Sequence, residues 1–361
     1  MNLKNMDKKL IKKLGTILII IMVLLIIMFI FMIINGRKIK YTDIESKLIV
    51  AAKKYYQAHP EELPQAENGY VTINSDKLIE EKYIKDLSKY AKDTNAVCSG
   101  QVRVSKNNDQ LLYSAMLSCG DYYETKKLKN VIASSENIVT SGNGLYLYNN
   151  RYIFRGDNVN NYAKFADRLW LILGINSDGT IRMIDTTETK EIVWDDRYNS
   201  DEQYNAGIND FNVSRIKDTL NNEYDSFTDS DKAYLTVQNL CIGKRSVNDT
   251  NNDGSIECSK TLENQYIGLI QANEYPIASL DDSCISPSNP ECTNYNFLTK
   301  IYSTWTLTAK SESSYEVYLL SGRIVSTEAS DYNEYHSVVN INSDVNYVSG
   351  DGTENNPYVF K

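Results

Sequence analysis

The first feature of the hydropathy pattern is an unbroken apolar run over residues 14–34, "LGTILIIIMVLLIIMFIFMII", with no charged residue in it. At about 1.5 Å per helical residue this length matches the roughly 30 Å hydrocarbon core of a bilayer, so the pattern predicts a transmembrane helix. A cleaved secretory signal has an apolar region of about 7 to 15 residues and a small-residue cleavage site, whereas this run ends in "NGRKIKY". The next segment, "YTDIESKLIVAAKKYYQAHPEEL", places Ile44, Leu48, Ala51, Ala52 and Tyr55 on one helical face. Thr42 and Glu45 have capping-box spacing, and Pro60 marks the end. A shorter helix is expected over "SDKLIEEKYIKDL", capped by Ser75 or Asp76, with Leu78, Ile79, Tyr83 and Leu87 turned inward.

The periodicity then changes from helical to alternating. "CSGQVRVSKNNDQLLYSAMLSC" holds two β-rich runs around a polar turn, which predicts a hairpin. A turn centred between Asn108 and Asp109 sets Cys98 opposite Cys119 at the hairpin's open end, within disulfide reach. After the charged linker "ETKKLKN", apolar and aromatic runs separated by "NNR", "GDNVNN" and "NSDG" predict a β meander that carries Trp170. One helix is expected at "NVSRIKDTLNNEYDSF", where Val213, Ile216, Leu220 and Tyr224 form an apolar stripe. The organisation expected is a basic tail over 1–13, a membrane span over 14–34, a small α+β domain over 41–122, a linker over 123–141 and a larger mixed module, rich in antiparallel strands, over 142–361.

Charge and cysteine usage place these parts. Lys4, Lys8, Lys9, Lys12 and Lys13 precede the span with one acid, Asp7, which favours an N-terminus inside and C-terminal domains outside the cell. Membrane lipid is then a partner through residues 14–34. All six cysteines follow the span, and an even count suits an oxidising compartment. Nearest-neighbour pairing predicts Cys98 with Cys119, Cys241 with Cys258, and Cys284 with Cys292. There is no CxxC pair, and His59 and His336 lie at no zinc-ligand spacing from a cysteine, so no metal cofactor is expected. Net charge is −9, with no basic stripe that would suit nucleic acid.

The chemistry-bearing residues are few. The chain has no nucleophile elbow, HExxH helix, P-loop or dinucleotide fingerprint, and its two histidines leave little material for acid and base work. Asp195-Asp196 and Asp281-Asp282 are adjacent acids in polar loops, where such pairs are usually solvated. In "NDTNNDGSIEC", Asp249, Asn251 and Asp253 fall at positions one, three and five of a calcium-loop pattern, with Gly254 at six. Position twelve is Lys260 where a bidentate Glu is needed, so a disulfide-closed polar turn is favoured over calcium. The chain holds 27 tyrosines, several grouped with Ser and Asn. Tyr315, Tyr318, Tyr332 and Tyr335 are candidate ligand contacts, with Trp305 buried beneath them. The alternative is that these tyrosines sit half-buried on strands.

A membrane helix, an amphipathic helix and a small disulfide-bearing sheet follow one another in the order that type IV pilins and pseudopilins use, which the N-terminal third resembles. Pilins have a glutamate at the fifth position after the processing site; counted from Gly15, that residue is Ile20. Residues 142–361 resemble an uncharacterised family of bacterial cell-surface modules whose fold is related to C-type lectin-like domains and to the formylglycine-generating-enzyme fold. The Trp170 hairpin, the Trp305 segment and the closing "SDVNYVSGDGTENNPYVF" carry that resemblance. Members often have an Arg-Pro pair before the last strand, where this chain has His336-Ser337-Val338-Val339. The related enzyme fold supports oxidase chemistry at cysteine or copper, but Cys284 and Cys292 flank "ISPSNPE", which reads as a structural bridge. Together the resemblances imply a membrane-anchored surface protein whose lectin-like module binds a glycan or protein without catalysis. A minor pilin or pseudopilin-like structural subunit with a lectin-like tip is the alternative.

Overall fold

The structure, a computed structural model, describes residues 15–23, 25, 38–66, 69–107, 110–187 and 190–361. The fold is α+β, mostly sheet with short helices and three disulfides. It divides into two compact units. The first comprises Met1–Glu61, Thr72–Arg103 and Ala115–Glu124, and the second Glu62–Val71, Val104–Ser114 and Thr125–Lys361.

The expected membrane span requires correction. A helix needs about 20 apolar residues to cross a bilayer, and the helical stretch described at 15–23 reaches only about 14 Å. Residues 1–14, 24 and 26–37 lie outside the described residues. Among the described residues no helix is long and apolar enough to cross a membrane. The single-pass localisation, with the N-terminus inside and the C-terminal domains outside, is corrected accordingly; the lipid contact expected over 14–34 falls largely on residues outside those described.

In the first unit, helix α1 (Tyr41–Ala58) buries Ile44, Leu48, Ala51, Ala52 and Tyr55, the stripe that the periodicity predicts. The capping box does not form, because the helix begins before Thr42 and Lys40 makes no side-chain cap. Glu45 instead lies on the buried face, where Tyr123 Oη donates to its Oε1 at 2.8 Å. Strand β1 (Tyr70–Asn74) leads into helix α2 (Ser75–Glu80), shorter than expected because Lys82 takes a left-handed φ of 64°. Leu78 and Leu87 are buried as expected, while Ile79 and Tyr83 are only half-buried. Strands β2 (Ser99–Asn107) and β3 (Gln110–Ser118) complete a sheet in the order β1-β2-β3, of which Thr72–Asn74, Ser99–Arg103 and Ala115–Ser118 belong to the first unit. The centre of the expected turn, Asn108 and Asp109, lies outside the described residues. Cys98 and Cys119 are bridged with Cα atoms 4.0 Å apart. Gly100 is required where β2 meets α1, since a Cβ there would lie 2.8 Å from Leu48 Cδ2 and 2.9 Å from Met116 O.

The second unit contains helix α3 (Leu128–Ile132) and strands β4 (Gly144–Tyr148), β5 (Arg151–Arg155), β6 (Tyr162–Phe165), β7 (Arg168–Ile175) and β8 (Ile181–Asp185). After β9 (Ile192–Val193) come helices α4 (Arg215–Ser226) and α5 (Asp229–Lys232), β10 (Gln238–Cys241), β11 (Thr261–Gln265), β12 (Ile267–Gly268) and helix α6 (Glu274–Ala278). Strands β13 (Ser303–Ala309), β14 (Glu316–Ser321), β15 (Ile324–Glu328), β16 (Tyr332–Asn333), β17 (Val338–Ile341), β18 (Tyr347–Ser349) and β19 (Val359–Phe360) close the chain. The main antiparallel sheet runs β12-β17-β8-β7-β5-β4, with β6 also paired to β7. Trp170 through Ile175 are all buried, so β7 is covered on both faces, which explains its continuous apolar run.

Helix α4 is capped by Ser214, whose Oγ accepts from Lys217 N, and it buries Ile216 and Leu220. Val213 precedes it and is half exposed, so the predicted stripe is one residue too long at its start. All three tryptophans are buried, each with its indole N–H bonded to a backbone carbonyl. Trp194 donates to Thr306 O at 3.1 Å, and Trp305 donates to Ile192 O at 2.9 Å. The bridges Cys241–Cys258 and Cys284–Cys292 are both formed.

Candidate functional site

The "NDTNNDGSIEC" loop is built around a side chain. Arg245 and Glu257 are fully buried, with Nε donating to Oε1 at 2.7 Å and a second nitrogen to Oε2 at 3.3 Å. The same guanidinium takes Asp249 O at 3.1 Å and Asn251 O at 2.5 Å. Two backbone carbonyls of the calcium-like segment are therefore occupied by an internal cation. The side chains of Asp249, Asn251 and Asp253 accept backbone N–H bonds from Ser246, Asp253 and Ser255 respectively, which makes them turn formers. Hydrogen bonds from Ser255, side chain and then backbone, hold the exposed Asp253 carboxyl below its ordinary 3.8.

The four candidate tyrosines do not present one common face. Tyr332 is exposed, Tyr315 and Tyr335 are half-buried, and Tyr318 is a core residue whose hydroxyl donates to Arg245 O at 3.3 Å. Burial pushes Tyr335 up to about 12. Trp305 is buried, as expected. Of the adjacent acids, Asp196, Asp281 and Asp282 lie at the surface as expected, and only Asp195 departs. Asp195 is fully buried rather than solvated, taking Arg197 in a bidentate pair and the backbone N–H groups of Arg197, Ile208 and Arg215. Asp196 is exposed and pairs with Arg215.

The loop's outer side forms one wall of a polar cleft of about 530 Å³ in the second unit. Six segments of the chain meet there, among them residues 271–274 at the start of α6. Asn149 comes from the β4–β5 turn, Asp178 from the β7–β8 turn, Gln238 from β10, Asp253 and Gly254 from the loop, and Asn340 from β17. Gly254 has a φ of 90°, a left-handed conformation that suits glycine at this turn. Arg182 on β8 stands opposite Asn340 in the β8–β17 register. It binds Glu274 through Nε to Oε1 at 2.6 Å and a second nitrogen to Oε2 at 2.9 Å. Burial acts to raise the Glu274 carboxyl, but Arg182 outweighs it and the group is held below its ordinary value. Arg151 also acts to lower Glu274, and its guanidinium lies 5.9 Å from the Tyr148 ring centroid.

Asn273 and Asn340 also line the cleft. They are 1 % and 8 % exposed, and the Oδ1 of each has no hydrogen-bond partner. Asn273 Nδ2 donates to Asn252 O at 3.3 Å, which fixes the side on which its amide oxygen lies. An unmet buried acceptor costs about 1–3 kcal/mol, so two at one cleft is an expensive arrangement for a fold to keep.

Of the cleft residues, the sequence singled out Asp253, Gly254, Cys241 and Cys258. The available signal was polar residues inside otherwise apolar strands: Arg182 in "TIRMID", Gln238 in "LTVQNLC" and Asn340 in "SVVNIN". The chain matches no protein-family model, no curated protein and no solved structure.

Proposed function

We propose that this chain is a non-catalytic binding protein whose second unit takes a neutral, hydroxyl-rich glycan in the polar cleft. The observation that carries this is the pair of buried amide oxygens without partners, Asn273 Oδ1 and Asn340 Oδ1, which call for a ligand that brings donors. The volume falls in the range of about 300–1,000 Å³ usual for small-ligand sites. The lining contains amides, two guanidinium groups and three carboxylates but no aromatic ring, which disfavours an apolar ligand. Each carboxylate is engaged: Asp178 by Thr180, Asp253 by Ser255 and Glu274 by Arg182. Among the described residues no histidine lines the cleft and its two cysteines are bridged, so no free imidazole or thiol stands ready there for catalysis on a ligand. The resemblance to C-type-lectin-like modules points the same way.

The test is a glycan array with the full chain, followed by calorimetry on a neutral hit. Asn340→Leu removes an acceptor of nearly the same volume, and binding should weaken about 5- to 150-fold, the equivalent of about 1–3 kcal/mol. Folding stability should be kept or raised, because an unmet polar group has been removed. A chelator should leave affinity unchanged, since Arg245 occupies the loop carbonyls. Full affinity in Asn340→Leu and Asn273→Leu together would exclude the cleft.

A further inference from the structure

We propose that the Cys241–Cys258 bridge is a thiol-exchange site, attacked at Cys258 by a small dithiol, and that opening it loosens the cleft wall. Its role in regulating binding rests on the glycan reading of the cleft; the exchange itself does not. Three observations converge on this bridge. Cys258 is exposed and Cys241 half-buried, whereas Cys98 and Cys119 are both buried and Cys284 is joined to the fully buried Cys292. Both Cys241 and Cys258 line the cleft, which gives an attacking thiolate a path to the bridge. The bridge also ties β10 to the loop segment that carries Asn252, Asp253 and Gly254.

The exchange balances as follows. One thiolate of the dithiol attacks Cys258 Sγ, a mixed disulfide forms, and Cys241 Sγ leaves as a thiolate that takes up a proton. The second thiolate of the dithiol then attacks its own sulfur in the mixed disulfide, Cys258 Sγ leaves and is protonated, and the reagent departs as a cyclic disulfide. The protein gains two electrons and two protons, and the dithiol loses them.

The rest of the loop has independent anchors. Ile242 N donates to Lys260 O at 2.8 Å, Gly243 N to Glu257 O at 2.7 Å, and the Arg245–Glu257 pair stays buried. Opening the bridge therefore releases the wall without dissolving the unit. The bonds that remain along the wall include, first, Cys258 N to Gly254 O at 2.9 Å and, second, Asn273 Nδ2 to Asn252 O at 3.3 Å, beside Arg245 to Asn251 O at 2.5 Å and Asn252 Nδ2 to Ile285 O at 3.2 Å. The second sets the direction of the Asn273 amide, so motion of the wall is transmitted to one of the two unpartnered oxygens.

The experiment treats the oxidised full chain with limiting dithiothreitol, traps thiols with iodoacetamide and follows each bridge by peptide mass spectrometry. Cys241 and Cys258 should be alkylated about tenfold faster than the other four cysteines. Hydrogen exchange on the selectively reduced protein should rise severalfold over residues 251–258 and 271–274 and stay unchanged over β13–β15. The double variant Cys241→Ser/Cys258→Ser should show the same exchange pattern. Equal or slower opening of this bridge, or unchanged protection along the cleft wall, overturns the proposal. Neither readout uses a glycan, so an empty glycan array would sink the binding reading while leaving this site to stand or fall on its own.

Discussion

Replacing Glu257 with Gln tests whether the loop is organised around a buried cation. The change keeps the volume and one acceptor oxygen but leaves Arg245, 1 % exposed at its side chain, without a counter-charge. Breaking a buried pair by removing one partner costs about 3–5 kcal/mol, against about 0.5–1.5 for an ordinary neutral hydrogen bond. Two carbonyls, Asp249 O and Asn251 O, still hold the guanidinium, which places the loss at the lower end, about 3 kcal/mol. For a domain of this size that is a fall of roughly 6 to 12 °C in the unfolding midpoint. All three tryptophans lie in the second unit, so fluorescence during heating or urea titration of the oxidised protein reports this unit selectively. The paired substitution Arg245→Met/Glu257→Leu should recover most of the loss, because two apolar side chains replace the ions together. A cost under about 1 kcal/mol for Glu257→Gln, or a double variant as unstable as the single one, would refute the reasoning.

Two further outcomes are expected. His336 is 3 % exposed with Nδ1 3.0 Å from Asp185 O, and burial holds it below its ordinary 6.5 despite Asp185 and Glu334, which act to raise it. The fold thus prefers the neutral ring: its contribution is present above pH 6.5 and is lost as pH falls through the lower folded value, so urea midpoints between pH 7.5 and 5 should drop more in the native protein than in His336→Gln. Gly100→Val forces a side chain against Leu48 and Met116 O and should cost about 1–3 kcal/mol in urea unfolding, and a neutral result would mean that α1 and β2 yield freely.

Local rules carried as far as local physics reaches. The stripe of α1, the Ser214-capped helix and three disulfides between sequence neighbours were legible because each depends on residues a few turns or one hairpin apart. The apolar run near the N-terminus shows the opposite case, since length and hydropathy predict a span that no described helix provides. The cleft was not legible. Its residues come from Asn149 to Asn340, and no periodicity within one segment marks residues that meet only when six segments converge. Arg245 was invisible for a related reason: a metal-loop pattern lists the oxygens, and nothing in it shows that a guanidinium from the same loop already fills the centre. Asp195 was misjudged because adjacency to Asp196 hides that one faces inward and the other out.

The exchanged indole bonds between the Trp194 and Trp305 segments have a kinetic consequence. Their partners are 112 and 113 residues apart, so neither bond can form until a loop of that length has closed. Closure of such a loop costs about 4 kcal/mol in chain entropy, and topologies dominated by distant pairings fold in roughly milliseconds to seconds. During synthesis the delay is longer. At about 5–20 residues per second, Trp194 waits roughly 6 to 20 s before Thr306 is made, and through that interval its indole N–H lacks its native acceptor.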